Sequence, residues 1–328
     1  MKILNYVKTL KRKLAPRLVI DRTVLDEQIA SLMKLNTTLA NDRERLLKER
    51  AEILSKMNAS ERESISSAEI VEPENTYQFM GYKIPINLML MTGGGPETFD
   101  IISGGHIRNL QRWIGIEANH TVLEIGCGIG RDAIPLTQIL LNGRYVGIDI
   151  IGPSIKWCSE NIAAKHCNFE FHHFDVEDQI HNSDGTTRTA DIVLPIGDRS
   201  VDRIILFSVF THLTRVDIEH YLTEFRRVLK PGGLVYATTF IYNDEILRSA
   251  RSTNLTPFDL RFEHELEPGC RINDPNFPLG AVAYTKDAWD KMIENAGMCY
   301  TQDVLEGGWS GFYSDPKDGQ DVVILTSR

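Results

Sequence analysis

The chain has 328 residues, of which 42% are hydrophobic and 25% are charged, a composition typical of a soluble globular protein. Its net charge of −9 argues against a general nucleic-acid-binding surface, because contacts with phosphates need a basic face. No apolar run approaches the roughly 20 residues that span a bilayer, and the N-terminus lacks the apolar region of a signal peptide.

Residues 1–20 form a basic amphipathic segment, in which lysines and arginines occur without any acidic residue. Its apolar residues fall on one helical stripe, at Ile3, Leu4, Val7, Leu10 and Leu14. Such a segment can lie on an anionic membrane, which predicts a peripheral contact at the inner face of the membrane. A charged terminus surrounded by solvent is the other interpretation of the same residues.

Residues 21–66 have the pattern of a long helical arm. Leucine or isoleucine recurs every seven residues, at Leu25, Leu32, Leu39, Leu46 and Ile53. This repeat predicts a coiled coil, and Asn36 at a core position would favour a parallel homodimer. Arg43 and Arg50 also fall on core positions, so a helix that packs on the same chain or docks a partner is the alternative. The polar residues 58–74 are typical of a linker.

Residues 75–328 are predicted to form an α/β domain, because apolar strands alternate with helices from residue 121 onward. A glycine-rich segment, 91–96, precedes the first of these strands. The predicted strands are 122–125, 144–149, 169–174, 203–207 and 234–239, and the predicted helices are 106–114, 132–141, 154–164, 216–229 and 286–296. The last two strands, near 301–305 and 321–326, have no helix between them. They must therefore form an antiparallel hairpin, since a parallel crossover needs room for a helix.

The most informative motif is the turn after the first strand of this domain. The strand breaks into alternating glycines, Gly126, Gly128 and Gly130, which let the backbone turn sharply and a ligand approach closely. Asp149 ends the next strand, where a carboxylate can accept two hydrogen bonds from a ribose. A dinucleotide-binding turn would have a third glycine where this chain has Arg131. The pattern predicts a nucleoside cofactor with a charged amino-acid tail and disfavours a nicotinamide-dependent oxidoreductase.

The chain resembles the class I S-adenosylmethionine-dependent methyltransferases over most of residues 80–328. The resemblance begins with the pattern E-x-G-x-G-x-G from Glu124 onward. It continues with the acidic end of the second strand, the step at 174–176, and the segments 208–213 and 227–233. It implies a seven-stranded, mostly parallel Rossmann-like sheet with an antiparallel terminal hairpin, and S-adenosylmethionine as the cofactor.

The resemblance also implies a role for each matching position. The residues around the methionine part of the cofactor would be Gly126, Cys127, Gly128, Gly130, Phe207 and Ser208. Glu124 would orient the loop or meet the amino group. The residues around the ribose and the adenine would be Asp149, Ile150, Asp175 and Val176. Asp149 would hold the ribose hydroxyls and Asp175 the adenine amino group, with helix N-capping as the alternative interpretation of both aspartates.

Methyl transfer asks the protein mainly to align the acceptor with an already activated methyl group and to exclude water. A hydroxyl acceptor also needs a base, and His212, in the loop after the fourth strand, is the candidate. A histidine that caps or packs at a helix start is the alternative. We expect no metal, because His172 and His173 are adjacent on one strand and point to opposite faces.

Two inserted regions could select the acceptor. The polar segment 181–190 has the composition of a surface loop. The longer region 241–284 would lie above the carboxyl ends of the strands and could form a lid. It carries Tyr242, Phe258, Arg261, Phe262 and Phe277. They could line the acceptor pocket or simply form a small core of their own. The turn 307–311 could complete the pocket rim.

The sequence thus predicts a methyltransferase that acts on a small molecule or a glycan, with oxygen as the acceptor atom and no nucleic-acid partner. The five cysteines are scattered without a C-x-x-C pair, so we expect reduced thiols and a cytoplasmic location. The alternative function is an inactive scaffold with the same fold that acts through its coiled coil.

Overall fold

The computed structural model describes residues 75–176, 185–256 and 258–328. The predicted basic segment, 1–20, and the predicted helical arm, 21–66, lie outside the described residues. Within the described ranges, no helix is both long enough and apolar enough to cross a membrane. Residues 75–176, 185–252 and 260–328 belong to one compact unit.

Strands and helices of the described residues alternate over most of the chain. The strands are β1 (Thr76–Phe79), β2 (Tyr82–Pro85), β3 (Thr121–Ile125), β4 (Arg144–Asp149), β5 (Phe169–His173), β6 (Val201–Leu206), β7 (Leu229–Thr239), β8 (Ile241–Tyr242), β9 (His264–Glu267), β10 (Cys270–Ile272), β11 (Val282–Thr285), β12 (Met298–Tyr300) and β13 (Asp321–Ser327). The helices are α1 (Ile86–Met89), α2 (Phe99–Trp113), α3 (Ala133–Leu136), α4 (Gly152–Cys158), α5 (Arg215–Val228), α6 (Asp244–Thr253) and α7 (Lys286–Asn295). Shorter helical turns are Leu90–Thr92, Ser159–Ala163, Thr189–Asp191, Phe210–His212 and Pro278–Gly280.

The main sheet has seven strands in the order β12-β13-β7-β6-β3-β4-β5. β13 runs antiparallel to both of its neighbours, whereas the pairs from β7 to β5 are parallel. The central strands are rich in Val, Ile and Leu, as strands covered on both faces require. This architecture confirms the predicted fold class. The chain order changes direction between β3 and β6, and ligands of open α/β sheets bind outside the carboxyl ends of the strands at such a point.

Several predicted elements differ in their bounds. β7 begins five residues before the predicted start, at Leu229, and α4 ends at Cys158, where the helical turn Ser159–Ala163 continues the predicted helix. α2 begins seven residues before the predicted start, at Phe99, because the helix runs through Gly104 and Gly105. α3 ends at Leu136, and tighter turn bonds from Gln138 to Pro135 and from Ile139 to Leu136 replace the rest of the predicted helix. The terminal hairpin is confirmed, but β12 starts at Met298, directly after α7, and residue 305 makes only one isolated bridge to β13.

Residues 241–284 contribute a second sheet with the strand order β8-β11-β10-β9. Tyr242 and Phe262 are buried in a small hydrophobic core with Phe240 and Trp309. Ring contacts join Phe240 and Phe262 to Trp309, with centroids 5.1 and 5.6 Å away. Of the two interpretations of these aromatic residues, the separate core is therefore correct for Tyr242 and Phe262.

Asp321, at the start of β13, connects this second core to the main sheet. Its carboxylate accepts hydrogen bonds from the backbone N–H groups of Ile241 and Gly307, both at 2.8 Å, and from Trp309 Nε1 at 2.7 Å. The side chain is buried, and burial raises its pKa to about 6. A buried carboxylate therefore holds together β8, the turn at 307–311 and β13.

The raised pKa of Asp321 predicts a pH-dependent contribution to stability. The pKa of this carboxyl group is about 6 in the folded protein and about 3.9 in the unfolded chain. Its contribution to the free energy of unfolding is therefore fully present below about pH 3.9. This contribution is lost as the pH rises through about 6, by about 3 kcal/mol in total. Urea unfolding of the wild-type protein and the Asp321→Asn variant from pH 3 to pH 7.5 should show their difference in unfolding free energy change by that amount. A difference that stays constant across this range would contradict the assignment.

Candidate active site

The glycine turn between β3 and α3 has a backbone that few other residues can adopt. Gly126, Gly128 and Gly130 have φ values of 76°, 52° and 79°. A Cβ at Gly126 would lie 2.5 Å from Val209 Cγ2, and one at Gly128 would lie 2.4 Å from Thr92 Cγ2. The alternating glycines are thus needed both for the turn and for the close approach of two neighbouring segments.

The strain and the crowding at Gly126 can be separated by experiment. Gly232 has nearly the same φ, 78°, but a Cβ there would meet no atom within 4 Å. We expect Gly232→Ala to lower the free energy of unfolding by about 1 kcal/mol, from backbone strain alone. Gly126→Ala should lower it by about 2 to 4 kcal/mol, since overpacking adds to the strain.

Chemical denaturation of both variants measures these losses. In a Val209→Ala background, which removes the clashing methyl group, the cost of Gly126→Ala should approach that of Gly232→Ala. Equal costs at the two glycines in the wild-type background would mean that the clash with Val209 is unimportant.

Asp149 links the end of β4 to the glycine turn. Its Oδ2 atom accepts a hydrogen bond from Gly128 N at 2.6 Å, and its Oδ1 atom accepts one from Ile151 N at 2.8 Å. The bond from Ile151 ties Asp149 to the N-cap residue of α4, so helix N-capping stays the alternative interpretation of this side chain. Each carboxylate oxygen can accept more than one hydrogen bond, so the side chain is still suited to hydroxyl groups of a ligand.

Glu124 lies beneath the turn and is almost completely buried, with 3% of its surface exposed. The Tyr145 hydroxyl donates a hydrogen bond to its carboxyl group. Burial, reinforced by the nearby charge of Asp132, raises the pKa of Glu124 well above its usual value. The Glu124–Tyr145 pair joins β3 to β4 just below the turn.

Helix α2 contacts the residues that follow the glycine turn. Ser103 donates a hydrogen bond to the backbone carbonyl of Arg131 at 2.9 Å. One turn later, His106 Nδ1 lies 2.7 Å from Asp132 Oδ2. The His106 ring also stacks on Phe207, with centroids 3.6 Å apart and planes 3° from parallel. The glycine turn, the end of β6 and α2 therefore meet at one place.

Ser208 follows β6 with a φ of 57°, which is unusual for a residue other than glycine. Its backbone N–H donates to Thr238 Oγ1 at 2.7 Å, and Gln320 Nε2 donates to its hydroxyl at 2.9 Å. Backbone strain of this kind persists only where surrounding contacts enforce it, and it is common at ligand sites. Phe207 and Ser208 thus lie at the carboxyl edge of the sheet, next to the glycine turn.

Asp175 and Val176 follow β5 at the same edge of the sheet. The backbone carbonyl of Asp175 accepts hydrogen bonds from the N–H groups of Thr186 and Thr187, at 3.1 and 2.9 Å. Its carboxylate accepts a hydrogen bond from Thr186 Oγ1 at 2.8 Å. The first part of the predicted loop 181–190 lies outside the described residues, and residue 187 bridges to Val176.

His212 lies in the helical turn Phe210–His212, and its Nδ1 atom is 2.9 Å from the backbone carbonyl of Leu279. A carbonyl only accepts, so Nδ1 carries the proton and Nε2 of the neutral ring carries a lone pair. The side chain of Thr214 caps α5 in a reciprocal capping box with Asp217. His212 therefore packs against Leu279, within residues 241–284, and is not the residue that caps α5.

Among residues 75–176, 185–256 and 258–328, no group of three or more His, Cys, Asp or Glu side chains could hold a metal ion. His173 Nε2 contacts the Ile150 carbonyl at 3.1 Å, and the neighbouring His172 lies 3.7 Å from Glu170. The two rings therefore have different partners. The absence of a metal requirement stays a prediction.

The sequence patterns missed His106 and Asp132. His106 is a single histidine in a glycine-containing helix, and Asp132 follows the motif by two residues. Only the packing of α2 across the turn brings them together. A polar stripe on α2, formed by Ser103, His106 and Asn109, was the available signal, since residues three apart share one helical face.

The family described as "Methyltransferase domain" matches residues 122–233, from β3 into β7. A fatty-acid O-methyltransferase of Mycolicibacterium smegmatis is 31% identical over 125 residues, 38% of this chain and 36% of that protein. A sterol 24-C-methyltransferase of Gibberella zeae is 27% identical, over 47% of this chain and 38% of that protein. A tRNA (guanine-N(7)-)-methyltransferase of Shewanella frigidimarina is 29% identical, over 36% and 48% of the two chains.

The chain spans about a third to a half of the length of these curated relatives, at 36%, 38% and 48%. Among solved structures, an Aquifex aeolicus S-adenosylmethionine-dependent methyltransferase covers 73% of this chain and 96% of its own, with 17% identity and a TM-score of 0.44.

Proposed function

We propose that this chain, which belongs through residues 122–233 to the class I S-adenosylmethionine-dependent methyltransferases, transfers a methyl group to an oxygen atom of a small molecule or saccharide. The observation that carries the proposal is the hydrogen bond of 2.6 Å between Asp149 at the tip of β4 and Gly128 in the turn after β3. It joins the two elements that a nucleoside cofactor needs, a carboxylate for the ribose and a backbone without side chains.

The residues present fit S-adenosylmethionine, which is the cofactor of this family and supplies an activated methyl group. In this proposal Asp149 accepts hydrogen bonds from the ribose, and Asp175 accepts one from the adenine amino group. Ile150 is half-buried beside Asp149 and offers an apolar surface for the base. The glycine turn, Phe207 and Ser208 form the methionine end. The protein's contribution is then to orient the acceptor and to exclude water.

The acceptor is proposed to enter beside the second sheet region. His212 contacts Leu279 of that region, and Arg215 Nε donates to Glu267 Oε1 at 3.0 Å. These two contacts attach the region to the loop after β6 and to the start of α5. In this proposal residues 241–284 act as the lid, and His212 Nε2 accepts the proton of the acceptor hydroxyl.

The relatives differ in what their names say they methylate: a fatty acid, a sterol carbon and a tRNA guanine. The acceptor class is therefore tested with a defined panel. The protein is incubated with labelled S-adenosylmethionine and one of five acceptors: stearate, zymosterol, a methyl glycoside, a simple phenol or unmodified tRNA. Each product is identified by mass spectrometry. Methylation of an oxygen in the fatty acid, glycoside or phenol supports the proposal. Methylation of the sterol carbon or the tRNA alone would overturn the oxygen acceptor.

An inactive scaffold with the same fold is the second candidate function. Calorimetry with S-adenosylmethionine and S-adenosylhomocysteine distinguishes this scaffold from an active enzyme. Micromolar binding is expected of the enzyme, and no binding of either compound would favour the scaffold.

A further inference from the structure

His106, on α2, has an imidazole ring with one bonded and one unbonded nitrogen. Its Nδ1 atom lies 2.7 Å from Asp132 Oδ2. Its Nε2 atom makes no hydrogen bond to the described residues, and unlike Asp132 Oδ1 it is not buried. The His106 side chain is 14% exposed, whereas that of Asp132 is only 3% exposed. The unbonded nitrogen of His106 is therefore the part of this pair that a ligand can reach.

The neighbours of His106 fix both the tautomer and the direction of the ring. A carboxylate oxygen only accepts, so the contact with Asp132 places the proton of the neutral ring on Nδ1 and a lone pair on Nε2. The ring stacks on Phe207, with centroids 3.6 Å apart and planes 3° from parallel. Phe207 is itself buried and packs against Tyr236, with ring centroids 5.5 Å apart. Nε2 is therefore a hydrogen-bond acceptor that is held in one direction.

The stacking on Phe207 places the His106 ring at the end of β6. Ser208 follows Phe207 directly, and its side chain is exposed at this edge of the sheet. The turn Phe210–His212, which carries the proposed base, begins two residues later. A neutral lone pair suits a neutral donor such as a hydroxyl group, since a charged ammonium group pairs more strongly with a carboxylate. His106 Nε2 is thus matched to an uncharged methyl acceptor rather than to a charged group of the cofactor.

We propose that His106 Nε2 accepts a hydrogen bond from a second hydroxyl group of the methyl acceptor, adjacent to the oxygen that is methylated. This inference rests on the proposed function. In that reaction the acceptor oxygen bonds the methyl carbon, the carbon–sulfur bond of the cofactor breaks, and the single hydroxyl proton passes to His212.

A second fixed lone pair at the same edge of the sheet then has a second hydroxyl group to hold. The preferred acceptors are compounds with two adjacent hydroxyl groups, such as saccharide diols or catechols. His106 is a specificity-determining residue, because it contacts the acceptor. Asp132 is a positioning residue, because it acts through the tautomer of His106.

The first test compares acceptors that differ by one hydroxyl group: catechol with phenol, and a methyl glycoside with its monodeoxy analogues. The ratio of kcat/KM values within each pair measures the preference for the diol. We expect the wild-type protein to prefer each diol by about 10-fold or more, since the analogue leaves the Nε2 lone pair unpaired. His106→Leu should bring the ratio within about twofold of 1. His106→Gln, whose amide oxygen can still accept, should keep part of the preference.

Asp132→Asn tests the tautomer without removing the imidazole. An asparagine amide can donate to Nδ1, which moves the ring proton to Nε2 and makes that atom a donor. The preference for diols should be lost, although the ring and its stacking on Phe207 remain. His166 is the matched control, since its Nε2 atom lies 3.0 Å from the Tyr82 hydroxyl and its ring packs against Phe169, at the start of β5. His166→Leu should keep the wild-type ratio.

Nitrogen-15 NMR of the wild-type protein with S-adenosylhomocysteine needs neither turnover nor a stable variant. Catechol should shift the Nε2 resonance of His106, and phenol should leave it unchanged. Equal shifts, no shift, or a diol preference that survives in His106→Leu would overturn the proposal. A wild-type protein that methylates no oxygen would contradict the proposed function instead, and the NMR comparison would still decide the role of His106.

Discussion

Replacing Asp149 with alanine is expected to weaken binding of S-adenosylhomocysteine by about 100-fold or more. Two ribose hydroxyls that bond a carboxylate contribute about 1.5 to 3 kcal/mol each, and both bonds are lost together. The same change removes the acceptor of Gly128 N, whose bond of 2.6 Å holds the turn toward β4. Titration calorimetry with S-adenosylhomocysteine measures the loss directly.

Asp202 offers a matched control at the opposite edge of the sheet. Like Asp149, it accepts a backbone hydrogen bond, from Thr121 N at 2.8 Å, and it also pairs with Lys230 at 2.7 Å. Asp202→Ala should leave the affinity for S-adenosylhomocysteine unchanged, although it removes comparable contacts. If both variants lose affinity equally, the effect would come from the sheet as a whole, and Asp149 would have no special place in cofactor binding.

The core of the fold was predictable because its strands are specified locally. The bounds of β4 agree with the predicted 144–149, and β3 begins one residue before its prediction. Apolar runs between turn signals identify buried parallel strands, and the glycines after β3 have positive φ as the turn requires. The terminal hairpin followed from connection length alone.

The parts of the fold that the sequence did not predict depend on contacts between residues that are far apart in the chain. Gly104 and Gly105 conceal the helical pattern in the first half of α2, because glycine disfavours a helix. In the structure the Arg108 side chain fills the space beside Gly104, 3.2 Å from the position that a Cβ on Gly104 would take. The second sheet has strands of two to four residues, too short for a periodic pattern. Trp309 joins its core from a loop more than 20 residues beyond β11, and no local signal predicts that.

The residues of the candidate site also fall into two groups, those that local sequence identifies and those that depend on contacts between distant parts of the chain. Positions next to the glycine motif and at strand ends could be found from sequence, because carboxyl ends of parallel strands meet at one edge. Asp132 and His106 could not, since the contact between them spans 26 residues and depends on how α2 crosses the turn. His212 was found from its place after β6, but its tautomer depends on Leu279, 67 residues away.

His212→Gln is expected to lower turnover by about 100-fold or more while leaving the affinity for S-adenosylhomocysteine unchanged. General-base catalysis contributes about 10²- to 10⁴-fold, and glutamine cannot accept a proton at neutral pH. The contact between His212 Nδ1 and the Leu279 carbonyl places the lone pair on Nε2, the form that a base requires. The measurement is the rate of methyl transfer to the panel acceptor that the wild-type protein methylates.

His220 is the matched control for this prediction, because its Nε2 atom also contacts a backbone carbonyl, that of Ile192, at 2.7 Å. It lies on α5 and contacts the residue that follows the turn Thr189–Asp191, whereas His212 contacts Leu279, so His220→Gln should retain full turnover. A loss confined to His212→Gln separates proton transfer from the general effect of removing an imidazole–carbonyl contact. Unchanged turnover in His212→Gln would exclude His212 as the base and leave its contact with Leu279 as an attachment of the second sheet region.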